Sequence, residues 1–584
     1  MSKLSSGKAR RSAPTGDLPP PAGSAPGAVL NDQPPRGARR RRRGAAIARA
    51  FSRPVRYAAL LAGALPVLAF PSLNLEFLAW FGLVPGLLLM RAAPTWREAA
   101  VRGWWFGAGY LLMALYWLTP NLGPALLLVV IVLGAPWAGV GISAWFLLRG
   151  KADAAPGTGT SAAWRLPGPP GPRPGQALAA IVVIPSCWVV IDWIRSWQGI
   201  GGPWAVFGAS QWQHPVVLAL AAVGGIWLIS FVLVAANTAI VIALTATRLS
   251  GRALGAAGAL LAIAAGPAAF SLTAAAHSVP PAGHVTLALV QPGLENGPQR
   301  RLAEEARLTT SAPAADLVVW AESSVGYDLN VDHAILHRLQ RLSASIGTRL
   351  LVSQDAVSPT GGKSKVAAVI GPAGIEETYT KTRLVPFGEY IPFRSALGWL
   401  SQISRAAPQN MITGHGARVL HADLPDGRRL HFGVLICFES SFPDMSRVDV
   451  SRGAQVLIYQ TSDSTFQNSW APEQHASLAA VRAAETGRPA VQAALTGDSV
   501  AFDARGRLLA WASTADRGVL RVRLALPPSA VTTPFDRLGD YVPLFAIAVV
   551  TIAGAIAITA KGLARRSARA HPIAADMTPP ANTD

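Results

Sequence analysis

Residues 431–440 read HFGVLICFES, an apolar run that ends in a thiol flanked by a carboxylate. Phe432, Val434, Leu435 and Ile436 have the character of a buried strand. Cys437 at the C-terminal end of that strand predicts an α/β sheet, because such sheets place their chemistry outside the carboxyl ends of their strands. Two other stretches supply what a thiol needs. DLVVWAES, residues 316–323, is a second apolar run and ends in Glu322, while YTKTRLVPFGE, residues 379–389, carries Lys381 and Glu389. Further apolar runs at 284–291, 350–354, 366–371 and 456–461 extend the pattern over about 280–535. Their alternation with polar and helical stretches predicts a two-layer α/β domain with enough length for its own core.

Outside that region the composition changes. Of the 584 residues 51% are hydrophobic and only 14% charged, far from a soluble average. The apolar residues gather before residue 275 and again near the C-terminus, in stretches long enough to cross a hydrocarbon layer of about 30 Å. Seven spans are expected at 57–71, 75–90, 101–119, 124–148, 177–195, 215–244 and 254–274, and an eighth at 541–560. Arg91, Arg97 and Arg102, then Arg149, Lys151, Arg165 and Arg173, then Arg248 and Arg252 fall in alternate connections, whereas 71–74 and 119–124 hold no Lys or Arg. The bias places the N-terminus and the basic loops in the cytoplasm and the α/β domain outside. Lys561, Arg565, Arg566 and Arg569 after the last span return the C-terminus to the cytoplasm. Residues 1–56, rich in Pro, Gly, Ala and Ser, are expected to form a disordered basic tail, 561–584 a second tail, and 154–175 a flexible loop. The formal charge of +20 resides in these tails and loops, which argues against nucleic-acid binding.

The chain has two cysteines, and Cys187 lies inside an apolar helix, so no disulfide framework is expected. No metal and no cofactor is expected either. A lone strand cysteine is more often an inert core residue, and a lone Glu or Lys is usually solvated. Only seven of the 52 basic residues are lysines, which sets Lys381 apart. Taken together, Glu322, Lys381 and Cys437 form the set that acyl transfer through sulfur requires: a base, a cation for the developing oxyanion, and a nucleophile.

Two further stretches stand out. Residues 192–214 combine Trp193, Trp197, Trp204 and Trp212 with glycines on the outer side; an interfacial aromatic belt is the favoured reading and the wall of a lipid-access groove the sharper one. Residues 393–412 place Leu397, Trp399, Leu400 and Ile403 on one helical face, either against the domain or dipping into the outer leaflet.

The blocks WAES (320–323), YTKTRLVPFGEYIP (379–392), GVLICFES (433–440) and PEQHASLAAVRAAETGRP (472–489), with a WxxxxWxR-like piece at 188–195, resemble the apolipoprotein N-acyltransferases. These are the membrane members of the nitrilase superfamily, and the resemblance runs over about 57–560. It implies an α-helical membrane bundle of about eight spans carrying a nitrilase-like αββα sandwich. In that family's pattern Glu322 is the general base, Lys381 stabilises the oxyanion, Cys437 is the nucleophile, and Glu389 and Glu439 support the site. The implied reaction is ping-pong: a phospholipid acylates Cys437, and the thioester passes its chain to the α-amine of the diacylglyceryl-modified cysteine of an apolipoprotein. The implied setting is a monomer in the bacterial plasma membrane with its catalytic domain on the outer face. Some blocks differ from the family's usual residues. Ala321 stands in place of Pro, Phe438 in place of Tyr, TSDSTF (461–466) in place of SNDAWF, and VQPGLENGPQ (290–299) in place of a VQGN-type start. A membrane-tethered amidase and an accessory lipoprotein-binding protein are the alternatives.

Overall fold

The computed structural model describes residues 54–150, 169–277, 279–357, 361–403, 407 and 409–570. The expectations for 1–53, 154–168 and 571–584 lie outside the described residues. The expected N-terminal tail is shorter than 1–56, since a helix begins at Pro54.

The first half is helical: α1 (Pro54–Ala64), α2 (Val84–Arg91), α3 (Trp96–Leu115), α4 (Ala125–Gly134), α5 (Ala138–Leu147), α6 (Pro174–Arg195), α7 (Pro215–Thr245) and α8 (Leu249–His277). Among the described residues five helices are long and apolar enough to cross a membrane, namely Ala125–Leu147, Pro174–Arg195, Pro215–Thr245, Leu249–Thr273 and Tyr541–Ala560. The first three expected spans are not in that set. The first is a short apolar piece, Pro54–Ala69, and the second breaks into a 3-10 turn at Glu76–Trp80 and the eight-residue α2. The third is the continuous α3, which opens with Arg97, Glu98 and Arg102 and is capped by the Thr95 side chain, which accepts from the Glu98 N–H. Helix α7 is broken at Gly224–Gly225, where Gly225 has φ +69° and a Cβ would lie 2.6 Å from the Phe535 ring.

Among the described residues twelve strands follow: β1 (Gly283–Gln291), β2 (Leu317–Val319), β3 (Arg349–Val357), β4 (Lys363–Gly371), β5 (Gly374–Thr380), β6 (Val419–Asp423), β7 (Arg429–Ile436), β8 (Val456–Thr461), β9 (Ala490–Ala494), β10 (Ser499–Phe502), β11 (Leu508–Ala512) and β12 (Gly518–Leu526). They form two six-stranded sheets, ordered β12-β1-β2-β3-β4-β5 and β11-β10-β9-β8-β7-β6. Each has a parallel centre, β1 to β3 and β7 to β9, flanked by antiparallel strands. Alternation along β1 sends Leu287 and Leu289 into a core shared with Val434 and Ile436 of the other sheet, while Ala288 and Val290 face the opposite way. Those outward residues pack on Leu302 and Leu308 of α9 (Pro298–Ser311) and Leu339 of α10 (His333–Ile346). The second sheet is covered by α11 (Pro443–Ser451) and α12 (Ala471–Thr486). The domain therefore has four layers, α-β-β-α, where strand alternation alone predicts two. The chain ends with α13 (Pro534–Leu538) and α14 (Tyr541–Ala570), the latter packed on α6.

Helix α12 also joins the two halves. Glu485 accepts the Ile226 N–H freed by the α7 break at 2.7 Å, and Gln474 donates to the Pro71 carbonyl at 2.9 Å.

Candidate active site

The three residues read as reactive stand at three strand ends. Strand β7 stops at Ile436, and Cys437 opens a 3-10 turn, Cys437–Ser441, with its backbone in the left-handed region at φ +54°. A non-glycine residue held there costs on the order of 1–3 kcal/mol, so the surroundings must fix it. Glu439 does part of that. Its Oε2 accepts the Ile436 N–H at 2.8 Å, and its Oε1 accepts from the Thr382 N–H (2.7 Å), the Arg383 N–H (2.9 Å) and the Tyr379 hydroxyl (2.8 Å). One buried carboxylate thereby ties the turn after β7 to the turn after β5.

Lys381 is the first residue beyond β5 and is fully buried. Its ammonium donates to Glu389 at 2.8 Å and to Glu322 at 3.1 Å. Glu322 lies three residues beyond the end of β2, and Glu389 is held from its other side by the Val385 N–H at 2.8 Å. Burial alone would drive Lys381 toward its neutral form, but Glu322, Glu389 and Cys437 outweigh it and raise the group well above an ordinary lysine. The Cys437 thiol is partly exposed, and burial with Glu322, Asp463 and Glu389 pushes it well above a free thiol against the pull of Lys381. The resting sulfur is protonated, so a base is required for it to attack.

Two openings lie beside these residues. One is an apolar cleft of about 80 Å³, walled by Leu115, Trp117, Val129 and Leu133 from the membrane half and by Phe438 from the residue after the thiol, with Trp204 between. Trp204 is buried, lies 4.9 Å from Trp117 and stacks on Phe438 at 6.5 Å, and its indole donates to Gln474 at 3.0 Å. Trp212 packs on Trp511 at 5.3 Å. Residues 192–214 thus insert Trp204 and Trp212 between the halves instead of forming a belt, although Trp197 remains 62% exposed. The second opening is a polar mouth of about 400 Å³ that Glu322 and Glu389 share with Arg301, Asp355, Lys365 and Ser464. Among the described residues of 393–412 lie two four-residue helices, Arg394–Leu397 and Leu400–Ile403, with Phe393 and Trp399 exposed; the side chains of Leu400 and Ile403, which the expected face includes, lie outside the described residues.

Two features escaped the sequence reading. Lys365 is bonded to Asp355 at 2.6 Å and to Ser323, putting a second ammonium beside Glu322; Lys363 and Lys365 on one strand look like a solvated edge. His475 reaches the Cys437 carbonyl at 3.1 Å, from a block whose alanines suggest only a packed helix. Among the described residues no cluster of His, Cys, Asp or Glu could hold a metal ion.

Residues 62–239 match the apolipoprotein N-acyltransferase N-terminal domain and residues 286–529 the carbon-nitrogen hydrolase domain. An apolipoprotein N-acyltransferase of Geobacter metallireducens is 28% identical over 87% of this chain and 95% of its own length. One from Sinorhizobium medicae is 30% identical over 80% of this chain and 88% of its own. Among solved structures an amidase from Nesterenkonia sp. aligns with 42% of this chain and 92% of its own at 19% identity and a TM-score of 0.31. On the strength of those full-length relatives, the chain belongs to the apolipoprotein N-acyltransferase family.

Proposed function

We propose that this chain moves a fatty acyl group from a phospholipid, through a thioester on Cys437, to the α-amine of a diacylglyceryl-modified N-terminal cysteine. The supporting observation is the meeting of Glu322, Lys381 and Cys437 at three strand ends beside a cleft walled by membrane helices. In the first half-reaction Glu322 takes the Sγ proton as sulfur attacks the ester carbonyl. The oxyanion forms against the Lys381 ammonium. The ester C–O bond then breaks, and Glu322 returns the proton to the departing lysophospholipid oxygen. In the second half the amine attacks the thioester carbonyl and its proton passes to Glu322. The C–S bond breaks and the thiol is restored. Glu389 holds Lys381 in place between two acids, and Glu439 holds the two turns together.

The chain crosses the bacterial plasma membrane eight times as a monomer, with 280–535 as the catalytic domain on the outer face and both termini in the cytoplasm. Charge bias across the loops supports that orientation. Protease added to intact spheroplasts is expected to cut within that domain; protection until lysis contradicts the orientation.

The test is reconstitution in vesicles with phospholipid and a synthetic diacylglyceryl lipopeptide. Mass spectrometry is expected to show one added acyl chain as an amide on the peptide, and none with Cys437→Ala. Because the polar mouth admits water, hydrolysis is the competing fate. Release of free fatty acid with no acylated peptide would establish an amidase-like hydrolase instead, and undiminished transfer by Cys437→Ala would leave only an accessory role.

A further inference from the structure

Two motifs take no part in that reaction, yet they meet behind the nucleophile: Asp463 of TSDSTF and His475 of PEQHASLAAVRAAETGRP. His475 lies in the first two turns of α12 and is 2% exposed. Its Nδ1 is 3.1 Å from Asp463 Oδ1 and 3.2 Å from Thr461 Oγ1. Its Nε2 is 3.1 Å from the Cys437 carbonyl oxygen and 3.1 Å from Ser440 Oγ. The Trp204 ring covers it at 5.6 Å. A carboxylate and a carbonyl oxygen only accept, so both ring nitrogens must carry hydrogen for both contacts to be bonds. A neutral ring could take a proton from the Thr461 or Ser440 hydroxyl, but its lone pair would then face Asp463 Oδ1 or the Cys437 carbonyl. Asp463 Oδ2 is buried without a hydrogen-bond partner among the described residues, and a protonated His475 would be the cation that compensates this carboxylate.

We propose that His475, kept as an imidazolium by Asp463, is a positioning residue whose Nε2–H grips the Cys437 carbonyl and holds the left-handed turn that presents the sulfur to Glu322 and Lys381. The inference rests on Cys437 being the nucleophile. It supplies the second constraint that the φ of +54° demands, Glu439 being the first. Its pH dependence has a definite sign. Burial opposes the cation, while Asp463, the Cys437 carbonyl and Glu322 outweigh it and raise His475 above an ordinary histidine. The charged groups acting on the ring are thus Asp463 from the segment after β8 and Glu322 from the segment after β2, with the titratable thiol of Cys437 itself adjoining. Below the raised value both bonds are made. Above it one nitrogen turns a lone pair toward an oxygen, and the grip on the turn is lost.

The experiment follows single-turnover acylation of Cys437 by intact mass, using the full chain in phospholipid vesicles, across roughly pH 6 to 9, where histidines titrate. Wild type is expected to slow at the alkaline end. Asp463→Asn removes the anion, so that limb should move to lower pH by about one unit. His475→Gln, which keeps an N–H for the carbonyl but cannot titrate, should lose the limb and run about tenfold slower, a loss on the scale of one hydrogen bond; His475→Ala should be slower still. Variants that acylate with the wild-type profile, or that slow uniformly with the limb unmoved, overturn the inference. Should His475→Gln fail to fold, the Asp463→Asn limb decides alone. A wild type that takes no acyl group at all overturns the nucleophile reading, and this inference with it.

Discussion

The apolar cleft reaches Phe438, the residue after the thiol, the polar mouth reaches Glu322, and the two are built from opposite materials. The cleft draws its walls from α3, α4 and the Trp204 loop together with Val385, Pro386, Phe387 and Phe438 of the α/β half, and it has room only for the part of a fatty chain next to the carbonyl. The remainder of a chain would run out along the exposed apolar face of α4, where Leu127, Leu128 and Val132 are all more than half exposed. The mouth draws its walls from the α/β domain alone, and charges of both signs line it. On the proposed reaction a phospholipid acyl chain would use the first, and the polar segment of a lipopeptide would leave through the second. The membrane half contributes apolar wall and Arg195 to the cleft, whereas the charged groups that act on the Cys437 thiol, Glu322, Lys381, Asp463 and Glu389, come from the α/β half.

The largest effect should come from the thiol itself. Cys437→Ala is expected to abolish both half-reactions, by at least about 10³-fold in transfer rate, while leaving thermal unfolding of the purified protein unchanged. Next, Lys381→Met should slow thioester formation by about 10²–10³-fold, the range for removing one oxyanion donor. It also leaves Glu322 and Glu389 buried without their cation, so a falling melting temperature should accompany the loss.

Smaller effects separate the openings. Leu133→Trp fills the cleft and should slow acylation by long-chain phospholipid about tenfold while leaving alkylation of Cys437 by iodoacetamide unchanged, a difference of about 1.4 kcal/mol in barrier. Ser464→Trp narrows the mouth and should act in reverse, leaving thioester formation intact while its discharge to lipopeptide slows by a similar factor. If either change slows both half-reactions alike, the division between the openings fails.

What could be read from residue order was what local pattern records. The apolar runs 317–321 and 432–436 lead directly into Glu322 and Cys437, so the strand ends carrying these two candidates were visible. The pairing of two sheets face to face is a long-range property that strand alternation does not record; the αββα sandwich was expected from the family resemblance alone. The Trp204 loop looked like a belt because tryptophan and glycine at a span end suit one; only the neighbouring Phe438 and Gln474 show it wedged between halves. Breaks at Gly224–Gly225 and after Trp80 are legible as glycine positions, yet which of them interrupts a helix depends on what packs there, as Phe535 does against Gly225. His475 and Lys365 stayed hidden because each acquires its role from a residue distant in sequence.

The claim on which the rest stands is that sulfur takes the chain before nitrogen does. Intact-mass measurement of the purified protein after incubation with phospholipid and no acceptor should show one fatty acyl adduct, localised to Cys437, released by hydroxylamine and discharged when lipopeptide is added. An unmodified mass under conditions where N-acylated lipopeptide nonetheless accumulates once acceptor is supplied would contradict it.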